Sequence, residues 1–167
     1  MIDTEARLAA LEQEVRELRD HRVIAQIIAS YGPLADTATD EERRLKAGAL
    51  FSENGVYNLA EDWEGIGSVG VGNLLAGDSH ISLMADGCAH VMAAPAIRID
   101  GNEALAVFHS RVYRHQDGSF IVWRVSANRL KFERTVDGWK IKDRRTRLLD
   151  GSDEARAILR HIDDIPR

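Results

Sequence analysis

Tyr31, Asp36 and His90 supply the three side-chain types that a cofactor-free elimination needs. Loss of water or of HX requires a base for the proton, an acid or anion site for the leaving group, and a dry pocket that holds both geometries. An imidazole suits the first task, because its ordinary pKa of ~6.5 lets it accept a proton near neutrality while a carboxylate partner fixes its tautomer. Asp36 supplies a carboxylate at the end of a helical stretch, and Tyr31, five residues earlier, a phenol that can polarise a carbonyl or assist a leaving hydroxyl. Asn128 shares strand parity with Leu130 and Phe132, so its amide is a candidate partner for a substrate carbonyl. In the basic run Lys140, Lys142, Arg144, Arg145, Arg147, the alternation that starts at Trp139 and Ile141 selects Arg145 and Arg147 as candidates to enter a pocket.

Taken singly, each of these residues has a plainer reading. A histidine at a strand start is more often a satisfied structural group, an aspartate here a helix-end or turn residue, a tyrosine core, and a basic run along a strand a solvated face. His109 and His115 read as structural or exposed. The histidines form no HExxH or His-x-His pattern and Cys88 has no second cysteine, so no metal constellation is expected. Gly70-Val-Gly72 lacks the third glycine and the βαβ context of a dinucleotide site, and no serine sits in a Gly-x-Ser-x-Gly elbow. Cys88 would share a strand face with His90, but parity alone does not make a nucleophile.

The elements that must position these residues divide the chain into a helical part and a β part. Leu8, Leu11, Val15 and Leu18 form the stripe of an amphipathic helix over about 4–19, capped by Asp3 or Thr4. A second helix carries Val23, Ile24, Ile27, Ile28 and Tyr31 to Asp36, with Pro33 forcing a kink or an irregular last turn. A third runs from Asp40 to about Phe51, its acidic start suiting the helix dipole. Val56–Leu59 reads as a short strand, followed by a glycine-spaced loop (Gly65, Gly67, Gly70, Gly72) and a short helical stretch around 74–84. Asp100-Gly101-Asn102, Asp117-Gly118 and Asp137-Gly138 then separate four strands over roughly 89–99, 103–115, 119–134 and 139–149, before a helix capped by Ser152 runs to about His161. Strands longer than the usual ~5–6 residues tend to curve, and a curved sheet closed by helices encloses a cavity. The class is α+β, in one domain over 1–167, with terminal helices over 1–20 and 152–162.

Bulk properties narrow the partners. A formal charge of −5 leaves no footprint for nucleic acid or an anionic membrane, and 44% apolar with 29% charged residues suits a globule. The single cysteine excludes an intrachain disulfide and points to a reducing cytoplasm. No run approaches ~18 apolar residues, and the acidic start is unlike a secretory signal. The two terminal amphipathic helices suggest an oligomer.

Three stretches carry a family resemblance: Ile28–Asp36 followed by Ala49–Tyr57, Ala89–Ala104, and Phe132–Ile141 with its trailing arginines. In order and separation they resemble the SnoaL-like, nuclear-transport-factor-2-like superfamily, and within it the lyase branches of scytalone dehydratase, hexachlorocyclohexane dehydrochlorinase and bile-acid 7α-dehydratase. The resemblance implies a cystatin-like cone, a strongly curved sheet packed against N-terminal helices around an apolar pocket. It places Tyr31 on the functional tyrosine, and Asp36 and His90 on an Asp/His dyad. It also implies a pocket lined by Tyr57, by Val112 where the bile-acid branch has an acid, and by Asn128 where it has a tyrosine. The expectation is a metal-free, cofactor-free dehydratase or dehydrohalogenase acting on a hydrophobic alicyclic or polycyclic molecule, as a homodimer or homotrimer. Two other readings keep the fold: a polyketide cyclase or ketosteroid-type isomerase, in which an acid alone serves as base, and a non-catalytic ligand-binding protein.

Overall fold

A computed structural model of the chain describes residues 3–60 and 63–166. The two expected N-terminal helices are one, α1 (Thr4–Ala35), with Pro33 accommodated in its last turn and Asp36 as its C-cap. No breaker separates the two stretches; the apolar stripe changes side between Arg19 and Ile24, which in sequence imitates two helices. Residues 1 and 2 of the helix expected over 1–20 lie outside the described residues. Helix α2 (Glu41–Gly48) starts where the Asp40 side chain accepts the Arg43 amide at 2.9 Å, and it ends short of Phe51.

Phe51 instead opens β1 (Phe51–Ala60), six residues longer than the four-residue strand expected. The glycine-spaced stretch read as loop forms β2 (Trp63–Ile66) and α3 (Gly67–Leu74), and α4 (Asp78–Asp86) follows. The glycines of that stretch allow close approach: a Cβ on Gly65 of β2 would lie 2.6 Å from the Gly70 carbonyl oxygen of α3, and one on Gly67 2.6 Å from the Glu53 carbonyl oxygen of β1. The first of the four expected strands is broken into β3 (Cys88–Met92) and β4 (Ala96–Asp100). Both pair with β5 (Glu103–Gln116), Met92 opposite Ser110 and Ala96 opposite Val107, which leaves one extra residue around Pro95, where no amide can join the ladder. The remaining strands, β6 (Ser119–Thr135) and β7 (Gly138–Leu148), keep close to the expected boundaries because aspartyl-glycine turns fix the hairpins.

The sheet is open and mixed, in the order β2-β1-β7-β6-β5-β3 with β4 also on β5, and β1 beside β7 is its parallel pair. Alternation along β5 and β6 divides the buried residues. Ala104, Ala106, Phe108, Leu130 and Phe132 join Ile24, Ile28, Tyr31 and Ala35 of α1 in the main core. Leu105, Val107 and Ala127, of opposite parity, are buried on the other face, where α5 (Asp153–Arg160) packs through Ala155 and Ile158. Ser152 caps α5 on the Ala155 amide, and a 3₁₀ turn at His161–Asp164 ends it. Burying each large core side chain contributes roughly 1.5–3 kcal/mol, so this α1–sheet interface holds the site elements in place. No described helix is long and apolar enough to cross a membrane.

Candidate active site

The C-terminal end of α1 meets β3 at a point where only glycine fits. A Cβ on Gly32 would stand 2.1 Å from the His90 carbonyl oxygen, so the helix lies directly on the strand and brings its cap residue to the same place. Asp36 there holds His90 at two points. Its Oδ1 lies 2.6 Å from the ring Nδ1, and its Oδ2 accepts the His90 main-chain N–H at 2.8 Å. The Cys88 thiol, on the same strand face, donates to Oδ1 at 3.4 Å. Burial works to raise the Asp36 pKa, but the ring and main-chain hydrogen bonds from His90 outweigh it and hold the carboxyl below its ordinary range. Burial, and then the same carboxylate, push the Cys88 thiol up to about 12, which keeps it from acting as a nucleophile.

With Asp36 ionised, Nδ1 of His90 carries the proton and donates it to the carboxylate, so in the neutral ring Nε2 holds the free lone pair. His90 lines a cavity between the sheet and helices α1, α3 and α4, as do Tyr31 and Tyr57. The walls are mainly apolar, with Leu59, Leu74, Leu83 and Val112 among them. Tyr31 and Tyr57 meet edge to face, ring centroids 5.9 Å apart, and Phe51 stacks on Tyr57. Burial first, then the neighbouring Tyr57, pushes the Tyr31 phenol well above its ordinary range, Arg144 acting against them. Tyr31 is thus a neutral hydroxyl.

Of the three arginines of β7, it is Arg144, not Arg145 or Arg147, that enters the cavity. Opposite β6, Phe132 pairs with Ile141 but Lys131 with Asp143, so Lys142 is an extra residue that reverses the inward parity of everything after it. Arg144 and Thr146 therefore face in, while Arg145 is exposed beside Asp143 and Arg147 pairs with Glu154 away from this cavity. Arg144 is 3% exposed, and its guanidinium lies over both tyrosine rings, 4.1 Å from Tyr31 and 4.4 Å from Tyr57. Among the described residues it has no ion-pair partner, and its Nε is buried without a hydrogen bond.

Asn128 has the expected inward parity but lies beneath the cavity wall with its amide fully engaged. Its Nδ2 donates to Ser110 Oγ at 2.8 Å, while its Oδ1 accepts from Arg144 Nη2 at 3.1 Å and Thr146 Oγ1 at 2.9 Å. It orients the lining in place of touching a ligand. Val112 and Tyr57 both line the cavity.

Sequence reasoning passed over His80, Trp123 and Arg124. His80 is buried in the lining, its Nε2 3.1 Å from the Ala35 carbonyl and its ring 5.6 Å from that of His90. Burial and then the charge of His90 depress its pKa, against the Ala35 hydrogen bond. The available signal was a histidine three residues before Leu83, on the buried face of a short helix. Trp123 is the extra residue of a second bulge, between the Val112–Arg124 and Tyr113–Val122 pairs, which lets both Trp123 and Arg124 line the cavity.

Among the described residues, Asp36, Cys88 and His90 also bring their ligand atoms within 4.8 Å of one another, close enough to hold a metal ion. Two of the three, Asp36 and His90, already satisfy each other.

Over residues 16–145 the sequence matches the SnoaL-like domain. The chain belongs to the SnoaL-like family. An NTF2-like protein with a cystatin-like fold from Novosphingobium aromaticivorans is 38% identical, with a TM-score of 0.86 over 95% of this chain and 98% of that one. At lower identity the likeness concerns the fold: a protein of unknown function from Mycobacterium tuberculosis is 17% identical, with a TM-score of 0.67 over 93% of this chain and 90% of its own. ActVI-ORFA of Streptomyces coelicolor is 15% identical, with a TM-score of 0.65 over 77% and 96%. No curated protein matches the sequence, so the likeness of this SnoaL-like protein to particular lyase branches rests on its motifs alone.

Proposed function

We propose that this SnoaL-like protein is a cofactor-independent lyase that removes water or HX from a hydrophobic small molecule, with His90 as the base. The observation that carries the reading is the double hold of Asp36 on His90, which commits both carboxylate oxygens and leaves His90 Nε2 as the free basic atom at the cavity. This argues against the acid-only base of a ketosteroid-type isomerase. Asp36 keeps the proton on Nδ1 and stabilises the imidazolium once Nε2 has taken the substrate proton. Arg144, a buried cation without a carboxylate, attracts the negative charge that develops on a carbonyl oxygen or a leaving group. Tyr31, held as a phenol between Arg144 and Tyr57, supplies the proton or hydrogen bond that a departing hydroxyl needs.

The test is product analysis by mass spectrometry, in ordinary and deuterated water, of hydroxylated and halogenated alicyclic and steroid-like compounds incubated with wild type and His90→Ala. Loss of water or HX with wild type alone supports the lyase. Deuterium uptake with no loss of water or HX would replace it with isomerisation or cyclisation on the same base. Tight binding with neither change would make the cavity a ligand-binding site.

A further inference from the structure

Every residue of α1 from Thr4 to Arg19 is exposed. Leu8, Leu11, Val15 and Leu18 lie along this free segment at 57, 57, 43 and 62% exposure. The helix meets its own body elsewhere. Asp20 accepts hydrogen bonds from Arg134 and from Trp139 Nε1, and Ile24, Ile28 and Tyr31 are buried beyond it. At ~100° per residue, the centre of the leucine stripe lies about 160° round the helix from that packed face. The stripe points away from the sheet, and no described segment covers it.

Steps of three, four and three are the a and d positions of a heptad, here Leu8 and Val15 at a, Leu11 and Leu18 at d; a β-branched residue at a with leucine at d suits two strands. That register puts Arg7 and Glu14 at g, Glu12 and Arg19 at e. In a parallel pair, each g residue faces the e residue five positions on in the other strand. Arg7 then faces Glu12 of a second copy and Glu14 faces Arg19, and symmetry repeats both attractive pairs. An antiparallel pair on the same seam sets Glu12 against Glu12 and Glu14 against Glu14 at its centre. We infer that α1 joins this protein to a second copy of itself through a parallel, in-register, two-stranded coiled coil over residues 8–18. The seam is short, but the packed half of α1 already carries the cost of starting the helix. A membrane surface suits the segment less well, with six acidic against three basic side chains between Asp3 and Asp20.

The test is the oligomeric state of the full chain by sedimentation equilibrium, with circular dichroism confirming that every variant folds. Wild type is expected as a dimer, and Leu11→Asp/Leu18→Asp, at exposed positions, raises the dissociation constant roughly a hundredfold or more. Arg7→Glu/Arg19→Glu and Glu12→Arg/Glu14→Arg are each monomeric, and mixing the two restores a heterodimer through four attractive pairs. Leu18→Cys forms a disulfide-linked dimer on mild oxidation, since antiparallel strands would hold the two positions about 15 Å apart. The inference is overturned by a dimer that survives the aspartate and charge-reversal variants, by a trimer through this seam, or by a wild-type monomer, including one that binds phospholipid vesicles or another protein's helix instead.

Discussion

Gly32 and His90 are in contact through backbone alone: the space a Cβ on Gly32 would need is taken by the His90 carbonyl oxygen, 2.1 Å away. The contact sets the distance between α1 and β3, and so the geometry of the Asp36–His90 pair. Gly32→Ala is expected to cost about 1–3 kcal/mol in urea denaturation, as overpacking usually does. It should also lower turnover more than a distant variant of equal stability. An alanine variant with wild-type stability and turnover would show that this contact does not position the dyad.

His90→Ala is expected to lower kcat/KM by about 10²–10⁴-fold with the fold intact, the range that a positioned general base supplies. Asp36→Asn should also lose turnover, because an amide cannot stabilise the imidazolium. Steady-state kinetics on the substrate found by product analysis, alongside melting curves, measures both.

Asp36 and Asp20 both have folded-state pKa values lowered from the ordinary range, Asp36 through His90 against burial and Asp20 chiefly through Arg134. A lowered carboxylate pKa means that the unfolded chain binds more protons in acid. The stabilising contribution is therefore complete above the unfolded value near ~3.9 and is lost as pH falls through the folded value. Urea denaturation from mildly acidic pH down to about pH 3 should show wild type losing more stability than Asp36→Asn or Asp20→Asn. Parallel pH curves would contradict the assignment.

Arg144→Met should lose most of its kcat while the fold persists, because the substitution keeps the packing between the tyrosine rings and removes the charge. Arg144→Lys should recover only part, since an ammonium cannot span both rings and Asn128 in the same fork. Arg145→Ala, at an exposed site outside the cavity, is the control expected to match wild type in kcat and KM.

Cys88, with its pKa pushed up to about 12, should react with iodoacetamide near pH 8 roughly a thousandfold more slowly in the native protein than in denaturant. Asp36→Asn removes the anion that Cys88 faces and should speed the native reaction. An equally slow reaction in both would assign the protection to burial alone.

The hairpins and the pairing of functional groups were legible to different degrees in the sequence. Aspartyl-glycine turns fix β5, β6 and β7 locally, so their boundaries could be read to within one residue. Tyr31, Asp36 and His90 were reached through residue type and family motif; their meeting across 54 residues is a tertiary event that spacing cannot express. Arg144 was missed for a definite reason. Strict alternation is the only parity rule that sequence offers, and a bulge breaks it without leaving a mark in residue type. The glycine-spaced stretch misled in the opposite sense: four glycines that look like loop are what let β2 and α3 approach their neighbours.

The extra residue at Lys142 means that one strand carries two alternative linings in its sequence. If Lys142 took a paired position of its own and the bulge were lost, alternation from Ile141 would turn Asp143, Arg145 and Arg147 inward and send Arg144 and Thr146 to the outside. In that register Asp143 and two other arginines would stand where Arg144 and Thr146 now face in, and Asn128 would lose the two donors that saturate its oxygen. Deleting Lys142 would keep Asp143 opposite Lys131 and Arg144 opposite Leu130 and so leave the lining as it is, whereas moving the bulge along β7 would change which side chains this pocket offers a ligand with no substitution at its walls.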